Sequence, residues 1–381
     1  MIPFNKPYLS GNEMHYIYDA VNAGQISGNG RYTLKCQQFL QDRFGFGKVL
    51  LTTSCTDALE MAALLIDIQP GDEVIMPSYT FVSTANAFVL RGAHIVFADC
   101  REDHPGVDEA QLRALVSSRT KAIVVVHYAG VACDMDQVMA LADEHGLLVI
   151  EDAAHAMDSY YTGKEGEKKP LGSIGHLAAF SFHETKNIIS GEGGMLVIND
   201  PQFAKRAEII WEKGTNRSAY FRGEVDKYRW LDLGSSFLPS DILAAFLYAQ
   251  LENLDDIQKR RQALWQGYDS SFRGRLDRQG VRLPHVPAFA SNNAHMYYLI
   301  CQSQDERDRL IAYLKGEGIM AVFHYLPLHG SPYYQGKWKG QALPRAERYA
   351  DCLLRLPFFY ELSEREQDQV TQSVLAFFGE T

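Results

Sequence analysis

Long apolar runs are missing from this chain. No window of about 18 consecutive apolar residues occurs, so no membrane-spanning helix is expected. Basic charge is in deficit. The 37 Lys and Arg stand against 47 Asp and Glu, a net charge of -10. A general nucleic-acid binder needs the opposite balance. Cysteines are few and scattered: Cys36, Cys55, Cys100, Cys133, Cys301 and Cys352 form no CxxC and no metal-like spacing. They are read as reduced thiols, with no metal site and a cytoplasmic setting. The opening MIPFNKPYLSG has no basic stretch followed by an apolar one, so no secretory signal is expected. A GxxxxGK[ST] loop is absent, and no GxGxxG follows the first apolar strand. Those absences count against a P-loop nucleotide site and a dinucleotide fold.

What is present is an alternation. Apolar, β-branched runs occur at 48–54, 72–78, 94–100, 121–128, 147–154, 176–183 and 193–200. Helical stretches lie between several of them, as at 56–68 and 135–146. Strands apolar at every position, alternating with helices, predict a mostly parallel sheet covered on both faces. Only the residues 184–192 separate the last two runs, too few for a helical crossover of about a dozen residues. The seventh strand is therefore expected to run antiparallel in a seven-stranded mixed sheet. Beyond residue 200 a long helical stretch spans 243–268. A smaller α+β unit follows, with strands expected at 294–302 and 320–329 and a helix at 306–318. A last helix starts at Ser363, with Glu366 completing a capping box. Two domains are expected, 1–250 and 251–381.

Polar residues gather at the strand ends, where open α/β sheets bind ligands. The first strand ends in Thr53, Ser54, Cys55 and Thr56 at the start of a helix. The second ends before Phe81, the fourth at His127 and Tyr128, and the fifth at Glu151 and Asp152. The sixth ends at Ser181 and His183, with Lys186 following in SFHETKNIISGEG. Taken singly, Ser54 and Thr56 read as an N-cap, Asp152 as a turn-capping carboxylate and Lys186 as a solvated loop lysine. Taken together they describe an anion cradle, an aromatic, a buried carboxylate and an amine. Pyridoxal phosphate uses that set. Its aldehyde takes a lysine as a Schiff base, its pyridine nitrogen takes a carboxylate and its phosphate suits a helix N-terminus. Phe81 is the candidate to cover its ring.

The motifs TSCTDALEMA, MPSYTFVSTANA, HYAG, EDAAHA, SFHETKN and GEGG resemble those of the DegT/StrS sugar-nucleotide aminotransferases. They occur in that family's order over essentially the whole chain. The resemblance implies a fold type I pyridoxal enzyme, working as a homodimer with shared active sites. It matches Lys186 to the Schiff-base lysine and Asp152 to the partner of the pyridine nitrogen. Ser54, Cys55, Thr56 and Ser181 match phosphate ligands, and Phe81 matches the stacking aromatic. Two positions depart from the family pattern. His155 stands where Gln is common, facing the cofactor's phenolic oxygen. Ser236 stands where an Asn or Lys often reaches the partner subunit's phosphate.

The implied chemistry is a two-stage transamination cycling through pyridoxamine phosphate. Glutamate is the expected donor, and a dTDP-keto-deoxy sugar the acceptor. The expected reaction is at C4 of dTDP-4-dehydro-6-deoxyglucose, for a surface glycan such as O-antigen or other lipopolysaccharide; amination at C3 is the alternative. Arg31, Arg217 and Arg222 are candidate diphosphate clamps, and His324 and Tyr325 candidate sugar contacts. His329 is expected to be structural, and Lys164, Lys168 and Lys169 to sit on a solvated hairpin tip. Family members that act as dehydratases replace the lysine by histidine, and Lys186 argues against that reading. A non-catalytic sugar-nucleotide sensor is disfavoured because both the lysine and the carboxylate are present. The missing glycine fingerprint disfavours a nicotinamide enzyme.

Overall fold

Apolar runs too continuous to face water on either side build the centre of the molecule. The computed structural model describes residues 1–380. The first five runs form β1 (Lys48–Thr52), β2 (Glu73–Pro77), β3 (His94–Ala98), β4 (Thr120–Val126) and β5 (Leu148–Asp152). A short hairpin follows, β6 (Tyr160–Thr162) with β7 (Lys168–Pro170). The last two runs form β8 (Leu177–Ser181) and β9 (Gly194–Ile198). Seven strands join in the order β1-β9-β8-β5-β4-β2-β3. β9 is antiparallel to both its neighbours, β1 and β8, and the other pairings are parallel. The link after β8 reverses the chain, as expected.

Each face of the sheet carries its own core, and successive strand residues alternate between them. Val124 packs with Ala58, Leu59 and Phe88 on one face. Ile123 and Val125 pack with Leu40, Val138 and Leu247 on the other. Trp211, fully buried, donates its indole N–H to the Leu51 carbonyl at 2.6 Å and pins the helix Ala204–Trp211 to the sheet edge.

The helical stretch at 243–268 is made of two helices, Asp241–Glu252 and Leu254–Phe272. Asn253 divides them: its side-chain amide donates to the Ala249 carbonyl at 2.9 Å, competing with the backbone ladder. The second helix leads into a separate core containing Tyr268, Leu310, Leu314 and Val374. Over it lies a three-stranded antiparallel sheet of β10 (Tyr298–Ile300), β12 (Leu353–Arg355) and β11 (Val322–Phe323), in that order. β10 and β11 are shorter than the runs that announced them, and β12, only three residues long, carried no strand signal. The chain's start also belongs here. Ile2 pairs with Ile319 and sits in this core rather than in that of the first 250 residues. Ser363 and Glu366 form the expected capping box.

β5 ends in two adjacent carboxylates that face opposite ways, as strand geometry demands. Glu151 is turned away from the ligand end. It accepts from the N–H groups of Gly172, Ile174 and Gly175 at 2.6–2.8 Å, and from His127 Nε2 at 2.9 Å. His127 Nδ1 accepts from the Cys133 N–H, which leaves its proton on Nε2. Burial pushes the Glu151 pKa up, but the His127 and backbone bonds outweigh this and hold it below its ordinary value. A depressed carboxylate stabilises the fold above its unfolded pKa and loses that contribution as pH falls through its folded pKa. Glu151→Gln is therefore expected to cost about 2–4 kcal/mol near neutral pH. The deficit should shrink as the solution is acidified below the ordinary glutamate range. Chemical denaturation at several pH values checks this, and a deficit that does not vary with pH would refute it.

Candidate active site

The parallel strands and β1 all end on one edge of the sheet, and a cavity of about 600 Å³ opens there. Its floor is the N-terminus of the helix Cys55–Leu65. Ser54 Oγ caps that helix by accepting from the Asp57 N–H at 3.1 Å. The N–H groups of Cys55 and Thr56 have no intrahelical partner and carry the positive end of the helix dipole. Thr56 Oγ1 donates to Ser83 Oγ at 2.8 Å. Ser181, at the end of β8, lines the same cavity. Gly194 permits this construction: a Cβ there would lie 2.4 Å from the Ser54 carbonyl carbon and 2.5 Å from the Cys55 nitrogen.

Asp152 and Lys186 both line the cavity. Asp152 is buried. It accepts from Thr84 Oγ1 at 2.7 Å and from the Ala154 N–H at 3.2 Å. Burial raises its pKa and these hydrogen bonds resist the rise. Lys186 comes from the turn between β8 and β9, its N–H bonded to the His183 carbonyl at 2.9 Å. Burial pulls its pKa from 10.5 down to about 8, against Cys55 and Asp152, while the nearby Arg355 adds to the fall. Burial also pushes the Cys55 thiol up.

The opposite wall mixes aromatics and imidazoles. His155 Nδ1 accepts from the Ala129 N–H at 3.3 Å, so the proton sits on Nε2, 3.2 Å from the Tyr325 hydroxyl. His155 stacks on His295 at 4.3 Å, and His295 Nδ1 meets Asn187 Oδ1 at 2.8 Å. His324 Nδ1 lies 2.6 Å from the Tyr128 hydroxyl, and its ring stacks on Tyr325 at 3.6 Å. Burial drives the pKa of His155, His295 and His324 far below the usual range, with Lys186 and Arg355 contributing in each case. All three are neutral near pH 7. Phe81 leaves 56% of its surface exposed at the cavity.

The structure brings Ser54, Cys55, Thr56, Phe81, Asp152, His155, Ser181, Lys186, His324 and Tyr325 into one cavity. It does not bring the three candidate clamps there. Arg31 pairs with Asp19, Arg217 with Glu212 and Arg222 with Glu208 and Glu224, all outside the cavity. Ser236 is exposed and lies outside this chain's own cavity, in a bridge with Glu212. His329 bonds to Ser78 and stays out of the cavity. Lys164, Lys168 and Lys169 lie exposed on the β6–β7 hairpin. Among the cavity residues that escaped sequence reasoning are Thr84, His295 and Arg355. Arg355 alone left a trace, as the one charge inside the apolar run LLRLPFF.

Pyridoxal phosphate fits this donor set. The free N–H groups of Cys55 and Thr56 suit its phosphate, the buried Asp152 carboxylate its pyridine nitrogen and the Lys186 amine its aldehyde. Exposed Phe81 offers a face for the ring. One measurement probes the electrostatics directly. In the cofactor-free protein, the rate of amine labelling at Lys186 is expected to titrate with a midpoint of about 8. Asp152→Asn removes a carboxylate that favours the protonated amine, so it should move that midpoint lower. Mass spectrometry of the Lys186 peptide reads the rate. A midpoint near 10.5 in both proteins would contradict the burial argument.

Known proteins resemble this chain in sequence and fold. Residues 7–375 match the family model described as the DegT/DnrJ/EryC1/StrS aminotransferase family. The spore coat polysaccharide biosynthesis protein SpsC of Bacillus subtilis (strain 168) is 34% identical over 385 residues, covering 98% of this chain and 96% of SpsC. The crystal structure of the aminotransferase TlmJ from Streptoalloteichus hindustanus superposes with a TM-score of 0.90 at 29% identity, covering 100% of this chain and 99% of TlmJ. Spr1654 of Streptococcus pneumoniae in its PLP form gives a TM-score of 0.89 at 26% identity, covering 99% of this chain and 98% of that one. The match across nearly the whole chain, on a cavity already fitted to pyridoxal phosphate, makes this protein a pyridoxal-phosphate-dependent sugar aminotransferase of the DegT/DnrJ/EryC1/StrS family.

Proposed function

We propose that the enzyme moves an amino group from glutamate to C4 of dTDP-4-dehydro-6-deoxyglucose, giving a dTDP-4-amino-4,6-dideoxyhexose for a surface polysaccharide. The observation that carries the transamination is the half-buried Lys186, its pKa lowered to about 8, sharing one cavity with buried Asp152. The motif resemblance supports the sugar nucleotide, and the likeness to a spore coat polysaccharide biosynthesis protein supports the glycan.

Pyridoxal phosphate, when bound, supplies the electron sink that makes the proton at the reacting carbon removable. The chain's own residues do the rest. Lys186 Nζ, with a substantial neutral fraction near pH 8, would take the proton from the donor's α-carbon and hold it for return within the cavity. Asp152 holds positive charge at the pyridine nitrogen. His155, neutral with its proton on Nε2, donates to the phenolic oxygen. The Cys55 and Thr56 N–H groups, with Ser54, Thr56 and Ser181 hydroxyls, bind the phosphate, and Phe81 covers the ring. For the sugar, the Lys186 shuttle runs in reverse, with His324 and Tyr325 against the hexose.

The working form is proposed to be a homodimer. Support comes from exposed apolar side chains near Ser236 in the sequence: Trp230 is 80% exposed, and Phe221, Tyr228, Leu231 and Leu233 are exposed as well. Exposed apolar side chains gathered in one segment favour a protein interface. Ser236 would then reach the phosphate of the neighbouring copy, and Arg31, Arg217 and Arg222 would serve a diphosphate only by exchanging their present carboxylate partners. The division into domains at about residue 250 is supported by the helix break at Asn253 and the separate core beyond it. A cytoplasmic setting is supported by the six free cysteines.

The test follows the visible absorbance of the pyridoxal form. Glutamate is expected to bleach the band and dTDP-4-dehydro-6-deoxyglucose to restore it, with NMR of the product showing the amine on C4. Lys186→Ala should show neither change. A band that responds to glutamate but ignores the sugar would discard this acceptor, and an amine on C3 would discard the position.

A further inference from the structure

The two carboxylates at the end of β5 are satisfied very differently. Glu151 accepts from His127 and Gly172 on one oxygen and from Ile174 and Gly175 on the other. A carboxylate offers about four lone-pair sites, so Glu151 is saturated. Asp152 accepts only from Thr84 Oγ1 on Oδ2, at 2.7 Å, and from the Ala154 N–H on Oδ1, at 3.2 Å. It keeps acceptor capacity for a ligand, and its shorter bond is to a hydroxyl. Thr84 lies in the helix Val82–Val89. A threonine there can spend its one hydroxyl proton on a carbonyl of the preceding turn; Thr84 spends it on Asp152. An ionised carboxylate only accepts, so this proton is committed. Thr80 Oγ1 lies 2.9 Å from Thr84 Oγ1, and with Thr84 already donating, Thr80 must be the donor. Two hydrogen bonds thus run in one direction, Thr80 to Thr84 to Asp152. Both threonines are buried, 2% and 0% exposed, and both line the cavity.

Resting on the assignment of Asp152 to the pyridine nitrogen, we propose that Thr84, backed by Thr80, is a positioning residue that keeps the proton on the cofactor's ring nitrogen by keeping Asp152 ionised. A buried carboxylate facing a pyridine nitrogen can share one proton in two ways, as an ion pair or as two neutral groups. Burial favours the neutral pair, and a hydroxyl donating to the carboxylate favours the ion pair. Among the groups that oppose the effect of burial on Asp152, Thr84 stands first. Lys186 also favours the anion, but its own charge changes around pH 8. The threonine hydroxyls do not titrate, so their support is constant. Each bond of the pair polarises the next, which is the part left to Thr80. Phe81, the candidate cover of the ring, lies between the two threonines. One turn of chain would then present the face of the ring and govern the charge on its nitrogen.

Nitrogen NMR reads this proton directly, in holoenzyme reconstituted with pyridoxal phosphate isotopically labelled at its ring nitrogen. Thr84→Val keeps the side-chain shape and removes the hydroxyl. It should lower the pH at which the nitrogen loses its proton by about one unit or more, the worth of a hydrogen bond to a charged group. Thr84→Ser should restore the wild-type value, and Thr80→Val should shift it the same way by less. A second measurement separates this effect from a general loss of structure. It compares the affinity for pyridoxal phosphate with that for its deaza analogue, in which a C–H replaces the ring nitrogen. Wild type should prefer the cofactor, and in Thr84→Val that preference should fall about 10-fold or more. A structural defect would weaken both ligands equally and leave the preference unchanged, and that result overturns the proposal. So does a ring nitrogen that titrates identically in wild type and Thr84→Val while Asp152→Asn removes its proton. A nitrogen unaffected by Asp152→Asn overturns the assignment of Asp152 itself and the threonine role with it. No shift in Thr80→Val strikes Thr80 from the pair.

Discussion

Asp152 and Lys186 share one cavity at the edge of the sheet, and the rest of the architecture serves to hold them there. A carboxylate with Asp152's burial is unfavourable unless hydrogen-bonded and faced by positive charge. Thr84 and the Ala154 N–H supply the bonds, and Lys186 supplies charge. The sheet makes the meeting possible. β5 is central, so its last residue falls in the middle of the ligand-binding edge. β9 is reversed, so the chain returns beside β8 through a link of a dozen residues, and that link carries Lys186. A helical crossover at this point would have moved the lysine away from the strand ends. The one antiparallel strand of the large sheet thus keeps this link at the ligand end.

Charge in the cavity is arranged by exclusion. Lys186 and Arg355 are its cations, Asp152 is its buried anion and Glu192 stands at its mouth. Three imidazoles surround them, each held neutral first by burial. Protonating any of the three would add a third positive charge to an enclosed space, so the two cations also act against it. Neutral histidines can then serve as directional hydrogen-bond groups. His155 shows how the direction is set: the Ala129 N–H occupies Nδ1 and commits the proton to Nε2. A glutamine at this position would offer the same donor on a more flexible stem. The histidine gains rigidity by stacking on His295, and it depends on burial to stay neutral.

The large sheet and its site were legible in the sequence because both obey short-range rules. Seven apolar runs gave seven strands, and the short 184–192 gap gave the reversal. Strand ends gave the cavity, because a parallel sheet places them on one edge whatever the details of packing. Local alternation could also have separated Glu151 from Asp152, since neighbours on a strand face opposite sides. The small sheet was less legible. β11 and β12 are two and three residues long, shorter than any periodicity can register. Thr84, His295 and Arg355 meet the site from helix, loop and small sheet, through contacts between segments far apart in sequence. Arginines in polar loops find carboxylates nearby, and Arg31, Arg217 and Arg222 each pair with one in this chain.

The cavity draws its walls from two sources, and the division follows the chemistry each must perform. Groups fitted to the cofactor, Cys55, Thr56, Asp152 and Lys186, come from the ends of the large sheet, where strands packed on both faces fix them rigidly. The facing wall, with His324, Tyr325 and Arg355, comes from the small sheet and its loops. Such a site can keep one cofactor geometry while its substrate wall changes, provided the two parts stay in register. The first residues of the chain supply that register. Ile2 exchanges backbone hydrogen bonds with Gly318 and Met320, and the Phe4 carbonyl accepts from the Phe358 N–H. Asn5 then donates to the Glu184 carbonyl in the turn that carries Lys186, at 3.2 Å. A segment of four residues therefore joins the small sheet to the catalytic loop. It passes through the cavity wall as it does so, and this places the ring of Phe4 against Arg355.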